Sequence, residues 1–267
     1  MAIDPSARIA PGVELAPDVS VGPGVIIDGP STIGAGTRIL AHAYIGPYTT
    51  IGKDNLIAFG AVVGYDPQDY AFTGEESYTI IGDHNRIREY VTIHRGTTPG
   101  SATRVGNHNF LMAMSHMGHN SSLGDHVVLV NGALLAGYVE VADRAFIAGN
   151  CLLHQFIRVG TLAILRGGSK ASRDIPPYSI IDDTHTVMGV NLVGLKRAGL
   201  ASPNIAALRQ AFRILFFRRV NLKAAMARVE QEVPMTPEVV NLLSFIRASK
   251  RGVAMGPKAT RNADSES

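Results

Sequence analysis

The chain has 267 residues, 46% of them hydrophobic and 18% charged, with a formal net charge of +3. That is enough apolar material for a real core in one or two domains, and no run of about 18 apolar residues occurs, so no membrane span is expected. The single cysteine, Cys151, excludes a disulfide within the chain and fits a reducing, cytoplasmic setting.

A six-residue period runs from the first residues. Met1 to Pro5 enters it at once, with neither a basic nor an apolar leader region, so no secretory leader is expected. From Ile3, every sixth residue is aliphatic: Ile9, Leu15, Val21, Ile27, Ile33, Ile39, Ile45, Ile51, Ile57 and Val63. The phase breaks at Asp69 and Glu75, resumes at Ile81, Ile87 and Ile93, breaks at Pro99, and returns from Val105 to Leu165. Small residues recur two places earlier, among them Ala43, Ala61, Ser115, Ala133 and Cys151, and glycine often follows the aliphatic. An α-helix, with about 3.6 residues per turn, cannot hold such a period on one face. A parallel β-helix can, with each aliphatic residue stacked on its equivalent one coil away.

In chain order, residues 3 to 63 are scaffold. Residues 64 to 80 leave the repeat as an ejected loop, where Gln68 and Asp69 stand between aromatics as candidate ligand contacts. Residues 81 to 96 return to phase, with Arg86, Arg88 and Arg95 expected to face outward. A second loop spans 97 to 103, and the coil continues to about Gly168. The segment 169 to 188, with Asp174-Ile175-Pro176-Pro177-Tyr178, ends it.

Helical spacing takes over at 189. A short helix is expected around Leu192 to Arg197. Ser202-Pro203 reads as a cap opening a helix to about Arg219, and Asn221 to Val233 as another. Thr236-Pro237 opens the last, to about Lys250, carrying Val240, Leu243 and Ile246. The expected domains are therefore 1–188 and 189–252, followed by a disordered tail, 253–267. Residues 186 to 267 hold 13 Lys and Arg against 5 Asp and Glu, so the helical end is basic and suits an acidic partner. Arg209, Arg213, Arg218 and Arg219 are its candidate donor-binding cations. No recognition motif supports a nucleic acid.

The chemistry-bearing stretch is Ser115-His116-Met117-Gly118-His119-Asn120-Ser121, two imidazoles on a stiff strip. Coils of 18 residues would stack 119 on 137 and 137 on 155, putting His119, Gly137 and Gln155 in one column. Histidine suits a general base because its reference pKa is about 6.5, and a fixed backbone N–H suits a developing oxyanion.

Several motifs occur in one order: Ile93-His94-Arg95-Gly96, the His116/His119 pair, Leu153-His154-Gln155-Phe156, the Asp174 to Tyr178 run, and Gly189-Val190-Asn191 through Gly194-Leu195-Lys196-Arg197. Over about residues 3 to 250 the chain resembles the acyl-carrier-protein–UDP-N-acetylglucosamine O-acyltransferases that begin lipid A synthesis. The resemblance implies a left-handed parallel β-helix with a C-terminal α-helical domain, assembled as a homotrimer with sites between prisms. It implies transfer of a 3-hydroxyacyl group from acyl carrier protein to the sugar 3-position of a UDP-sugar, with no cofactor and no metal. By the same likeness His119 is the base, with Asn120 beside it, and the Gly137 N–H serves the oxyanion. His94, His116, Tyr138, His154 and Gln155 line the substrate site, and Gln68 and Asp69 touch the sugar. Asn191 and Arg197 lie near the nucleotide, and Gly167 stands at the position that limits chain length.

Four matched positions depart from the family pattern: Asn120 for aspartate, Tyr138 for histidine, Ala71 for a basic residue, and Ala198 for an arginine. They bear on rate and sugar identity, so a 3-amino sugar giving an amide is an alternative acceptor. Two other classes are a non-catalytic hexapeptide binding protein and a zinc protein resembling the γ-class carbonic anhydrases, with His154 joining His116 and His119 as the third ligand.

Overall fold

The computed structural model describes residues 2–218 and 221–257. Three sheets of eleven, nine and eight strands, parallel but for the last strand of the first, run the length of a triangular coil. Most strands are two or three residues long, because the chain turns a corner after each one. Many corner residues sit at positive φ, for example Asn120 at 60° and Tyr138 at 59°.

The six-residue phase becomes three stacked columns. Ile39 pairs with Ile57, Ile45 with Val63, and Ile33 with Ile51, each eighteen residues on. All six are buried. Burying such a side chain is worth roughly 1.5–3 kcal/mol, and each coil obtains it only from its neighbours. The small residues two places earlier are also inside; Ala61, Ser115, Ala133 and Cys151 are essentially inaccessible.

Both loops are inserted as whole hexads. Ile57 pairs with Ile87, thirty residues on, so the first insertion adds twelve. Ile87 pairs with Leu111, twenty-four on, so the second adds six. Insertions in multiples of six return the chain in phase, and the columns continue unbroken across both.

Several boundaries differ from expectation. Strands Val62–Tyr65 and Tyr78–Ile81 confine the first loop to 66–77, and strand Ala102–Val105 confines the second to 97–101. The coil does not end near Gly168. Strand Ser179–Asp182 pairs in register with Ile164–Leu165, and only Thr186–Val190, returning antiparallel, closes that sheet. Arg95 does not face outward: it is 6% exposed. Asp66 accepts from its Nη2 at 2.7 Å, and its guanidinium lies 5.0 Å from the Phe72 ring and 5.7 Å from that of Tyr48. Paired and stacked in this way, Arg95 fastens the first loop to the coil.

The helices are α1 (Leu192–Arg197), α2 (Ser202–Phe216), α3 (Leu222–Glu232) and α4 (Pro237–Arg247). Asn221 and Thr236 cap α3 and α4 through their side chains. Ser202 does not cap α2; it is the first helical residue, and Ala201 precedes it with no side-chain bond. On α4, Val240 faces solvent, and Val239, Leu242, Leu243 and Ile246 turn inward. The tail does not leave the fold at Gly252: Val253 bridges to Asp174 and Met255 to Thr186, with Ala254 buried between. Arg219 and residues 258–267 lie outside the described residues. Among those described, no helix is long and apolar enough to cross a membrane.

Candidate active site

The site lies on the outer face of the nine-stranded sheet. Strand pairing puts His116, Leu134, Leu152 and Lys170 in one outward column on successive coils. With the adjoining corner they line a groove of about 630 Å³. Its polar end holds His94, His116, His119 and Gly137, with Gln68 entering from the first loop. Leu134, Leu152, Leu153 and Ala171 form an apolar middle. Lys170, Ser172 and Thr184 close the far end, and His154 and Gln155 also face the cavity.

His119 is 9% exposed. Its Nδ1 lies 2.5 Å from Thr97 Oγ1 and 3.0 Å from Asn120 Oδ1. Its Nε2 points the other way, 3.4 Å from Asp69 Oδ2 of the ejected loop. Position 137 tolerates no side chain beside it: a Cβ there would stand 2.5 Å from His119 Nε2. The coil stacking expected from 18-residue arithmetic is present. Tyr138 N–H donates to the His119 carbonyl at 2.9 Å, and Phe156 N–H to that of Gly137 at 3.2 Å. The Gly137 N–H donates to no acceptor among the described residues.

Burial disfavours the charged forms of the neighbouring rings. His94 is 5% exposed and lies edge-on to His116, centroids 5.0 Å apart. Burial, reinforced by the like charges of His116 and His119, lowers the His94 pKa to about 4. Burial, then the charge of His119, also lowers that of His116, whose Nδ1 sits 2.7 Å from Thr92 Oγ1. No cluster of three or more His, Cys, Asp or Glu among the described residues is arranged to hold a metal ion.

The remaining expected site residues stand at the groove's edge or outside it in the single chain. Tyr138 presents its ring edge-on to His119 at 5.4 Å and stacks on Phe156 at 4.8 Å, facing a separate cleft with Lys250 and Arg251. His154 is exposed at the groove's edge, 3.4 Å from Arg251 Nη2. Gly167 and Arg197 are exposed and line no part of the groove in a single chain. The Asn191 side chain is bound within the chain. It is 4% exposed, accepts from Gly194 N–H as the cap of α1, and donates to the Leu162 carbonyl.

A family profile described as "Udp N-acetylglucosamine O-acyltransferase; Domain 2" matches residues 174–254. The chain is 40% identical over 256 residues to the acyl-[acyl-carrier-protein]–UDP-N-acetylglucosamine O-acyltransferase of Syntrophobacter fumaroxidans, covering 95% of this chain and 99% of that one. It is 41% identical to the protein of the same name from Thermodesulfovibrio yellowstonii, over 94% and 98% of the two chains. The crystal structure of LpxA, a UDP-N-acetylglucosamine acyltransferase from Bacteroides fragilis, superposes with a TM-score of 0.91 at 40% identity, covering 94% of this chain and 98% of that one. The chain belongs to the UDP-N-acetylglucosamine O-acyltransferase family. Its coil is accordingly the left-handed parallel β-helix of that family, and it is an acyltransferase.

Sequence reasoning missed three polar residues beside the site, Thr92, Thr97 and Lys170, and set Arg95 outward, where it in fact holds the loop. Lys170 follows from the outward column once the registers are known. Thr92 is one coil before His116, but the inserted hexad sets that distance at twenty-four residues instead of eighteen. Thr97 and Arg95 act across loops, where the period carries no signal.

Proposed function

We propose that this chain transfers a 3-hydroxyacyl group from acyl carrier protein to the glucosamine 3-hydroxyl of UDP-N-acetylglucosamine, the first step of lipid A synthesis, with His119 as the general base. The observation that carries the assignment is the placement of His119 Nε2 against Gly137 in a groove with one polar and one apolar end.

The acyl thioester is already activated, so no covalent enzyme intermediate is needed. His119 Nε2 takes the proton of the acceptor hydroxyl as its oxygen bonds to the thioester carbon. The Gly137 N–H faces the developing oxyanion. Collapse breaks the carbon–sulfur bond, and the departing thiolate takes the proton back from the imidazolium. Neutral His94 and His116 suit a site that must not hold extra positive charge beside that imidazolium.

The apolar column of Leu134 and Leu152, about 40% exposed in the single chain, suits the acyl chain and an apposed second prism. An assembly of three chains, with the groove closed by a neighbour, is part of this reading, as is a division between the coil, 1–188, and the helices, 189–252. Arg209 and Arg213 flank an apolar cleft with Phe212 and Phe217 and are, in this reading, the dock for the acidic carrier protein. A buried, unpaired Cys151 accords with a cytoplasmic location.

The test is product mass spectrometry with purified 3-hydroxyacyl carrier proteins and UDP-N-acetylglucosamine. Wild type forms the ester, and His119→Ala loses roughly 100- to 10,000-fold in rate with its assembly unchanged. A His119→Ala protein with the wild-type rate would remove the base assignment. Acylation of a 3-amino sugar nucleotide alone would change the acceptor and leave the base in place.

A further inference from the structure

A base must present a nitrogen that carries no proton. Neutral imidazole has two tautomers, and the groups around the ring select between them. Around Nδ1 of His119 stand two uncharged oxygens, Thr97 Oγ1 at 2.5 Å and Asn120 Oδ1 at 3.0 Å.

An asparagine amide can turn either edge to a neighbour, and its orientation is settled by its other bonds. Here a backbone donor settles it. The Thr97 N–H donates to the same Asn120 oxygen at 3.0 Å; with the amide reversed, N–H would face NH2. The Asn120 backbone is fixed too, its N–H donating to Thr103 Oγ1 at 2.8 Å. An amide oxygen is therefore directed at Nδ1, and it only accepts. A lone pair on Nδ1 would leave two lone pairs opposed in a buried place, which is costly. The proton belongs on Nδ1, shared between the amide oxygen and the Thr97 hydroxyl. The lone pair then belongs to Nε2, which faces Gly137 and the sugar loop.

We infer that Thr97 is a positioning residue for the base: its backbone N–H orients Asn120, its hydroxyl joins Asn120 at Nδ1, and together they hold His119 with Nε2 unprotonated. This rests on His119 being the base. Two neutral oxygens thus hold the ring on its Nδ1 side at 2.5 and 3.0 Å, whereas the Asp69 carboxylate at Nε2 is farther, at 3.4 Å, and about a third exposed, so solvent competes for it. Thr97 itself is 4% exposed, so water does not readily replace its hydroxyl.

Thr97→Val keeps the side-chain shape and the backbone donor and removes only the hydroxyl. The expected result is a loss of about tenfold in kcat, the size of one hydrogen bond, with both KM values unchanged. Thr97→Ser should recover most of it. Wild-type kcat in Thr97→Val, or no recovery with serine, overturns the inference. His119→Ala in the same assay separates the two levels: if it is inactive while Thr97→Val is normal, the base stands and the positioning role falls. A second measurement needs no Thr97 variant. Nitrogen-15 spectra of imidazole-labelled protein, with His119→Ala identifying the ring, should show Nδ1–H as the neutral form. Nε2–H as the main neutral form overturns the inference.

Discussion

Two groups of three histidines sit on the same coil, and only one has the makings of a catalytic site. His84, His108 and His126 stack face to face on one corner, centroids 4.7 and 4.9 Å apart and nearly parallel. All three are corner residues at positive φ, and none lines the groove. His94, His116 and His119 occupy a sheet face and the corner beside it, edge-on to each other or to Tyr138, with threonine hydroxyls at two of their nitrogens. The residue type is the same, but only the first set stands on equivalent positions of successive coils; His116 and His119 share one coil, and Thr92, not His94, pairs with His116. The difference lies in what surrounds the ring: an apolar groove, a corner glycine and a returning loop on one side, and solvent on the other.

The contrast can be broken most sharply at the glycine. Gly137→Ala places a methyl 2.5 Å from His119 Nε2. The ring must move, and a displacement on the scale of 1 Å is worth about 100-fold. We expect that loss in kcat with the coil intact by circular dichroism; an unchanged rate would mean that the base does not work from this position.

A smaller effect is expected at His94, and it has a definite sign. Its folded pKa is about 4, against an ordinary value of 6.5, and that of His116 is also lowered. Between those values the unfolded chain binds protons that the folded chain does not. Stability is therefore full above pH 6.5, falls as pH drops below it, and for His94 the loss is complete by about pH 4. His94→Gln should flatten the slope of melting temperature between pH 7 and 4.5. Equal slopes in variant and wild type would show that this ring is not kept neutral by the fold.

The least effect belongs to the other group. His108→Asn keeps a residue that tolerates positive φ and removes two ring contacts. It should cost on the order of 1 kcal/mol in stability and leave kcat unaltered. A tenfold fall in kcat would mean that the corner stack communicates with the groove.

Much of this was legible beforehand because a solenoid is nearly one-dimensional. Each hexad contacts its own equivalent one coil away, so the period carries both the core and the His119–Gly137–Gln155 alignment. The reading failed where a residue acts outside that ladder. Arg95 occupies an outward phase yet is buried, because the loop it clasps folds back over it. Ser202 reads as the cap of α2, yet it is the first helical residue, because Ala201 takes the capping place without a side-chain bond. Val253 and Met255 carry no periodic signal and find strand edges only because the coil ends beside them.

Side-chain spacing in the chain dictates the triangular coil, its three aliphatic columns and the coil-to-coil neighbours of His119, since those contacts repeat at a constant interval. Folding in three dimensions supplies the rest: Asp69 beside Nε2, Thr97 beside Nδ1, and the arginine that pins the loop. These meet across insertions whose path depends on packing, and no interval along the chain encodes such a meeting.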